Sequence, residues 1–299
     1  METARTDPDL HPNFVEYLRA TPARLAEVVD KCPVAYVPFG ALEWHGPHLP
    51  LGLDGLKAGE LCRQAAARTG GVLFPVVHWG AFRTMKFPFT FHFSKGALRR
   101  QTKRTVDQLY DWGFRVVVLL TGHYPGGQVR NVRRAADRFA RRHRDGFALG
   151  VPEMALAGDP TYVGDHAAKF ETSIMLALFP GLVDLDSFPA GLSYLERVTR
   201  HGAWGADPRA ASKELGARLV DAAVERLAGA VNEVLRSRSQ RPFLEIYEEF
   251  KALRRQLRSP GRAVELFGMD SRSDLLATLR WMVRQRGRPV EGGGRTETY

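Results

Sequence analysis

Short apolar segments alternate with helix-forming segments along the first half of the chain, and this alternation limits the fold more than any other feature. Largely apolar runs occur at 34–39, 72–77, 115–120 and 147–151. The segments between them favour helices over 56–69, 96–112 and 127–143. Because a strand that is apolar throughout must be buried on both faces, the pattern predicts a mainly parallel sheet covered by helices on both sides. Ligand sites in such α/β sheets lie at the carboxyl ends of the strands.

The remaining segments favour helices and suggest a division of the chain. Residues 171–179 form an apolar helical segment, and Asp207-Pro208 begins a longer helix that runs to about 236. We divide the chain into a main domain, a C-terminal extension of two helices and a disordered tail: 1–240, 241–286 and 287–299. We expect the extension to add contacts between subunits.

Composition excludes several classes of protein. With 44% hydrophobic and 25% charged residues and no apolar run approaching about 18–20 residues, we expect neither a largely disordered chain nor a membrane protein. The polar, acidic N-terminal segment predicts no secretory signal and a cytoplasmic location. Cys32 and Cys62 supply neither a disulfide framework nor a cysteine zinc site, so any metal needs histidine and carboxylate ligands.

The chain is basic, with 43 Lys and Arg against 33 Asp and Glu and a formal charge of +10. The basic residues concentrate in 99–104, 130–144 and 236–262, where their helical spacing favours solvated helix faces. Nucleic-acid binding by these faces is the alternative interpretation, and such binding would be sensitive to salt.

The segment 38–54, PFGALEWHGPHLPLGLD, carries the first candidate site residues. Glu43 and His45 are separated by one residue, so in an extended chain both side chains project to the same side, which suits two ligands of one metal. Asp54 follows nine residues after His45, in a stiff loop just past the first apolar run. The alternatives are a surface loop with incidental polar residues and a buried Glu–His pair held by hydrogen bonds.

The segment 121–128, TGHYPGGQ, directly follows another apolar run. His123 is therefore expected at the same edge of the sheet as Glu43. A phosphate-binding loop is the competing interpretation of these glycines, but the pattern G-x-x-x-x-G-K-[ST] is missing and Pro125 removes one amide donor.

The segment 164–180 carries the third cluster. Glu171 stands at the start of an apolar helix, where a carboxylate can act as a metal ligand or only as a helix cap. Asp165 and His166 lie just upstream, and a carboxylate–imidazole pair suits positioned proton transfer.

The aromatic segment 78–93 has two interpretations. In the first, four side chains line an apolar substrate pocket: Trp44, Trp79, Arg83 and Tyr124. In the second, which the period of two favours, Phe87, Phe89, Phe91 and Phe93 form the buried face of a strand.

Four ordered segments together resemble the creatininase family of metal-dependent amidohydrolases. They are LEWHGPHLPLGLD, TGHY, DHAAKFETSIMLALFP and HGAWGADPRAASKELG, within roughly residues 34–236. The resemblance implies a three-layer α/β/α sandwich around a small parallel sheet, two divalent metal ions per protomer and a homo-oligomer, namely a hexamer. The family implies zinc or manganese, and iron also suits these ligand types.

The resemblance also assigns roles to single residues. Five match metal ligands: Glu43, His45, Asp54, His123 and Glu171. Asp54 is placed to bridge both ions. His166, preceded by Asp165, matches the proton donor to the leaving nitrogen, and Tyr124 matches a tyrosine that lines the pocket.

Four departures from the family pattern concern the substrate. Trp44 replaces a glutamine, Thr121 replaces an asparagine, Pro125 stands where the creatinine-cleaving branch has a metal-binding glutamate, and Phe89 stands where a glycine is common. We therefore expect a hydrolase for the C–N bond of a small, cyclic amide, other than an ordinary peptide bond, with creatinine itself in doubt. The alternatives are a peptidase acting on a small modified peptide, a formamide hydrolase and, outside enzymes, a basic nucleic-acid-binding protein on the same fold.

Overall fold

A parallel sheet of five strands forms the centre of the described part of the chain. The computed structural model describes residues 10–80 and 87–286. In chain order the strands are β1 (Phe14–Glu16), β2 (Val34–Phe39), β3 (Gly71–Leu73), β4 (Val116–Thr121) and β5 (Phe147–Pro152). Their order across the sheet is β1-β3-β2-β4-β5, and each neighbouring pair is parallel. The predicted α/β class is confirmed.

Helices cover both faces of the sheet. They are α1 (Pro22–Lys31), α2 (Leu53–Thr69), α3 (Lys95–Asp111), α4 (Gly126–Arg142), α5 (Lys169–Leu178), α6 (Tyr194–His201), α7 (Lys213–Ser237), α8 (Arg241–Arg255), α9 (Pro260–Leu266) and α10 (Arg272–Arg286). Successive strand residues point to opposite faces. Tyr36 and Val118 pack with α2, α5, α7 and α8, whereas Val37 and Val117 pack with α1, α3 and α4. The result is the three-layer sandwich that the resemblance implies.

Two predicted boundaries are wrong for identifiable reasons. The run 72–77 is not one strand, because Pro75 lacks the N–H that a strand needs and β3 ends at Leu73. The long helix does not begin at Asp207-Pro208, which form only the start of a 3-10 turn. Instead, the Ser212 side chain accepts the backbone N–H of Leu215 and caps α7.

The C-terminal extension contains three α-helices within its described residues, where the sequence predicts two. The additional helix, α9, begins at Ser259-Pro260, because the Ser259 hydroxyl accepts a hydrogen bond from the backbone N–H of Arg262 and caps the helix. The tail 287–299 lies outside the described residues. A boundary at residue 240 stays a prediction, although Phe243 of α8 belongs to the same buried cluster as β5.

The prediction that the phenylalanines of segment 87–93 form the buried face of a strand is wrong. Phe89 is 68% exposed and Phe91 is 55% exposed. Phe89 has a φ of 57°, a left-handed conformation that turns the chain, so the period of two in the sequence does not continue as a strand.

Helix α8 protects the edge of the sheet at β5. Gln240, just before α8, makes two hydrogen bonds with the backbone of Ala148, at 3.0 and 2.7 Å. The Tyr247 hydroxyl accepts the N–H of Gly150 at 2.7 Å. An uncovered edge strand presents unpaired backbone groups, so this part of the extension completes the packing of the sheet.

Replacing Tyr247 by phenylalanine is expected to lower the free energy of unfolding by about 1–3 kcal/mol. The ring is kept, but the buried N–H of Gly150 loses its acceptor. Denaturant unfolding measures the change. Tyr110→Phe is the matched control, because that hydroxyl donates to Asp145 at the surface and its loss should have a much smaller effect. Equal effects of the two variants would contradict the role of α8 at this edge.

Candidate metal centre

The predicted ligands come together at the carboxyl ends of β2 and β4. Glu43 and His45 lie in the loop after β2, and His123 follows β4 by two residues. Asp54 is in the first turn of α2, which approaches the same edge closely. A Cβ on Gly122 would lie 2.2 Å from the carbonyl oxygen of Asp54, so the approach requires glycine there.

Asp54 stands between two groups of candidate ligands. Its Oδ2 is 3.0 Å from His123 Nδ1, which is 2.7 Å from Glu43 Oε1. Its Oδ1 is 3.4 Å from His45 Nε2, and that nitrogen is 3.9 Å from Glu171 Oε2. All five residues are at most 3% exposed. The predicted ligands therefore form two buried groups of three that share Asp54, and Glu43 and His45 form a third possible donor group with His166.

The donor atoms fit divalent metal ions. His45 Nδ1 is 3.0 Å from the carbonyl oxygen of Glu43, which can only accept, so a neutral His45 ring carries its proton on Nδ1 and presents the Nε2 lone pair to Asp54 and Glu171. Within the described residues, His45 Nε2 and Asp54 Oδ2 are buried and face neighbouring candidate ligands, at 3.4 and 3.0 Å, without a hydrogen bond of good geometry, which is costly unless a bound ion satisfies them. Nitrogen and oxygen donors without thiolates suit zinc, manganese or iron.

Carboxylates dominate the electrostatics of this centre. Burial alone would lower the pKa of both histidines, but the charge of Asp54 beside His45 and of Glu43 beside His123 outweighs it. The pKa of His45 is raised to about 9 and that of His123 to about 10. The negative charge that holds these protons also attracts a cation, so metal binding at neutral pH displaces protons from the rings.

His166 lies beside the two groups and turns one nitrogen towards them. Its Nε2 is 2.9 Å from the carbonyl oxygen of Trp44, which places the proton of the neutral ring on Nε2. Its Nδ1 is 3.9 Å from Glu43 Oε1. Burial, and then the charge of His45, lowers the pKa of His166. A neutral ring with its Nδ1 lone pair facing the centre can accept a proton and return it.

Asp165 contacts the backbone at the start of α5. Its carboxylate accepts the N–H of Phe170 at 2.8 Å and of Glu171 at 3.2 Å. These contacts fix the helix end that carries Glu171. Burial, and then the charge of Glu171, raises the pKa of Asp165 to about 8. No hydrogen bond joins Asp165 to His166 in the described part of the chain, and a part for Asp165 in proton transfer stays a prediction.

A buried lysine adjoins the second group of ligands. Lys57 Nζ donates to Glu171 Oε1, is 2.5 Å from the hydroxyl of Tyr124 and lies 3.3 Å from Glu153 Oε1 and 4.0 Å from Asp54 Oδ1. Burial alone would lower the pKa of Lys57, but the charges of Glu153 and Glu171 raise it. Lys57 is therefore a fixed positive charge that holds Glu171 by Oε1, while Oε2 accepts the backbone N–H of Ala167 at 2.7 Å and faces His45.

Sequence reasoning missed Lys57 and Glu153, although the sequence position of each could have identified it. Lys57 follows Asp54 by three residues and precedes Leu61 by four, which places a lysine on the buried face of α2. Glu153 directly follows β5, at the same carboxyl edge as the ligands. Tyr124, which was predicted, joins them: its hydroxyl donates to Glu153 and lies 2.5 Å from that of Tyr162.

A cavity of about 380 Å³ reaches the candidate ligands. One part of its wall contains Glu43, Asp54, His123 and Glu171, together with Tyr124, Asp165 and His166. Another part is largely apolar and comes from later in the chain: Trp204, Arg254, Leu257, Phe267 and Met282. Side chains of the C-terminal extension thus form a wall of the cavity that contains the candidate metal centre.

The predicted substrate-contacting residues are placed differently from one another. Tyr124 lines the cavity. The Trp44 indole donates to the carbonyl oxygen of His201 and stacks on Phe87, and the Trp79 ring stacks on Phe93, 5.0 Å away. Neither tryptophan is among the described residues that line this cavity, and Arg83 lies outside the described residues.

The fold and the shared-carboxylate site define an α/β/α protein with a histidine–carboxylate centre at the edge of its sheet. Residues 19–231 match the family model described as creatininase, creatinine amidohydrolase. The chain therefore belongs to the creatininase family, as the resemblance implies, and is a hydrolase of that family.

Relatives within this family act on different substrates. The chain is 28% identical to a creatinine amidohydrolase of Pseudomonas putida, over 67% of this chain and 89% of the relative. It is 30% identical to a mycofactocin precursor peptide peptidase of Mycobacterium ulcerans (strain Agy99), over 66% of this chain and 85% of the relative. A solved mutant creatininase described as of Zn-Zn type has a TM-score of 0.63 and 26% identity, covering 74% of this chain and 98% of its own.

Proposed function

We propose that this chain is a two-metal-dependent amidohydrolase that hydrolyses a C–N bond of a small, cyclic amide, other than an ordinary peptide bond. The observation that carries the proposal is Asp54, whose two oxygens face two separate groups of nitrogen and oxygen donors. Zinc or manganese is the proposed metal, supported by the donor types and by the Zn-Zn creatininase among the structural relatives.

The residues around the cavity divide the work of hydrolysis. When bound, two divalent ions lower the pKa of water towards neutrality and polarise an amide carbonyl. Glu43 and His123 would hold one ion, His45 and Glu171 would hold the other, and Asp54 would contribute to both sites. His166 would accept a proton from the attacking water at its Nδ1 atom. It would then donate that proton to the departing nitrogen, because an unprotonated amide nitrogen is a poor leaving group.

The net reaction adds one water molecule across the C–N bond. A C–O bond forms, the C–N bond breaks, and a carboxylic acid and an amine result. For a cyclic amide both groups stay on one opened molecule. Asp165 supports this step by fixing the end of α5, and Tyr124 lines the space in which the substrate lies.

A peptidase for a small modified peptide is the second candidate. The observation that favours it is the added wall from Arg254, Leu257 and Met282, which enlarges the cavity beyond the metal ligands. The peptidase of Mycobacterium ulcerans among the relatives supports it as well. A formamide hydrolase has no comparable observation in its favour.

Elemental mass spectrometry of protein purified without chelator is expected to find close to two divalent ions per protomer. His123→Ala should reduce this number, because His123 Nδ1 belongs to one of the two groups. His143→Ala is the matched control, since that ring stacks on Tyr110, away from the candidate ligands. An absence of metal, or metal content indifferent to His123, would contradict the assignment and favour a nucleic-acid-binding protein on the same fold.

A substrate panel distinguishes the amidohydrolase from the peptidase. Metal-loaded protein should open cyclic amides, and turnover should stop on chelation and return when zinc or manganese is restored. Release of a dipeptide or amino acid from short peptides, with no cyclic amide opened, would favour the peptidase instead.

We also propose a cytoplasmic homo-oligomer, namely a hexamer, that acts on a small molecule. The family resemblance supports the assembly, and light scattering tests it. No helix in the described residues is long and apolar enough to cross a membrane. The basic residues of α3 and α4, among them Arg99, Arg130 and Arg134, line a separate surface groove, and nucleic-acid binding is not proposed for it.

A further inference from the structure

The cavity wall contributed by the C-terminal helices lies beyond the part of the chain that the family model covers. The match ends at residue 231, and Arg254, Leu257, Phe267 and Met282 all follow it. Features shared by the family therefore do not explain this wall. Because it faces the same cavity as Asp54 and Glu171, its chemistry can select what reaches the candidate metal centre.

Arg254 is the cationic side chain in this wall. Within the described residues its guanidinium makes no ion pair or hydrogen bond, unlike Arg241 and Arg262 of the same extension, which pair with Glu245 and Glu265. The group is accessible to solvent, yet the surrounding protein desolvates it enough to lower its pKa, and no nearby carboxylate counteracts this effect. An uncompensated guanidinium in a largely apolar cavity wall is suited to a ligand anion.

The other residues of the cavity wall define which anion would fit. Trp204, Leu257 and Phe267 supply an apolar surface, and the candidate metal ligands lie on another part of the cavity wall. A guanidinium presents parallel N–H donors that match the two oxygens of a carboxylate. A cavity of about 380 Å³ holds a small organic molecule that carries both an amide and a carboxylate.

We propose that Arg254 binds a carboxylate of the substrate, so that the substrate class is a small amide that also bears a carboxylate. This inference rests on the proposed function, which specifies that a C–N bond is cleaved. What it adds is the substrate group that Arg254 binds. The C–N bond lies at the metal ligands while the carboxylate pairs with Arg254 and takes no part in bond breaking.

The experiment measures binding separately from turnover. Isothermal titration of metal-loaded protein compares 5-oxoproline, a cyclic amide with a carboxylate, with its neutral carboxamide 5-oxoprolinamide. N-acetylglycine and N-acetylglycinamide form a second, open-chain pair. Within at least one pair, the wild-type chain is expected to bind the anionic member about 10- to 100-fold more tightly, the range of a charge-assisted hydrogen bond.

Arg254→Gln should remove this preference and leave the affinity for the neutral member unchanged. Arg255→Gln is the matched control, because Arg255 is the adjacent exposed arginine and is not among the cavity-lining residues. Arg254→Lys keeps the charge without the paired donors and should show an intermediate preference. Thermal unfolding of each variant verifies that it is folded.

The outcomes separate the two proposals. An anion preference that depends on Arg254 without hydrolysis of any member supports the carboxylate site and contradicts the amidohydrolase. Hydrolysis of the neutral and anionic members alike contradicts the carboxylate site alone. A preference that survives in Arg254→Gln also overturns it, because the carboxylate then binds elsewhere, as it would directly on the metal ions.

Discussion

Asp54→Asn is expected to remove both metal ions and to lower kcat by about 1,000-fold. A carboxamide keeps the size of the side chain but loses the charge, and its nitrogen cannot act as a ligand. The magnitude follows from the several kcal/mol that metal polarisation contributes, at about 1.4 kcal/mol for each factor of ten. The measurement is metal content by elemental mass spectrometry, together with kcat on the best substrate of the panel.

Because the candidate ligands form two groups, each variant is expected to affect a particular ion and not only the activity. Glu43→Gln should weaken binding of the ion proposed beside His123, and Glu171→Gln should weaken binding of the ion proposed beside His45, whereas Asp54→Asn should affect both. Glu60→Gln, on the same helix α2 and paired with Arg63, is the control that should keep both ions. Retention of one ion in Asp54→Asn would show that Asp54 is not shared.

The sequence predicted the central strands closely and the periphery less well. β2, β4 and β5 appear within about one residue of their apolar runs, because a strand buried on both faces must be apolar throughout. β1 was missed, since it is a three-residue edge strand that is only partly buried. α6 was also missed, although Ser193 and Glu196 form a capping box at its start, because its eight residues span only about two helical turns.

The candidate ligands were predictable because they follow strands whose carboxyl ends meet at one edge. Glu43, His45 and His123 needed only this rule and their residue types. Arg254 was not predictable, since it is one of many arginines at helical spacing in a basic segment, and only the fold brings it to the cavity. The placement of Trp79 was likewise not predictable from the sequence, because its aromatic neighbours are exposed and do not form a pocket.

Lys57 shows how the candidate ligands depend on a residue that no ligand motif includes. Its ammonium lies among the carboxylates of Glu171, Glu153 and Asp54, and it is fully buried. Buried carboxylates are tolerated only when they are paired. Removing the lysine leaves Glu171 and Glu153 without the cation that both contact.

Lys57→Met is therefore expected to lower the free energy of unfolding of the metal-free protein by about 3–5 kcal/mol, the cost of leaving one side of a buried ion pair uncompensated. At about 2–4 °C for each kcal/mol, Tm should fall by about 6–20 °C. Calorimetry on protein treated with chelator measures it. Lys31→Met is the control, because Lys31 pairs with Glu27 at the surface, where such pairs contribute little.

A second variant shows whether the charge of the lysine, rather than its packing, is responsible. Lys57→Met combined with Glu153→Gln removes one of the two buried carboxylates that lose their cation. The glutamine side chain at position 153 can still accept the hydrogen bond from Tyr124. The double variant should therefore be more stable than Lys57→Met alone, although each single change is destabilising. If the two losses simply add, Lys57 acts by filling space. Recovery of stability would instead establish Lys57 as the cation that allows so many carboxylates to gather beside the candidate metal centre.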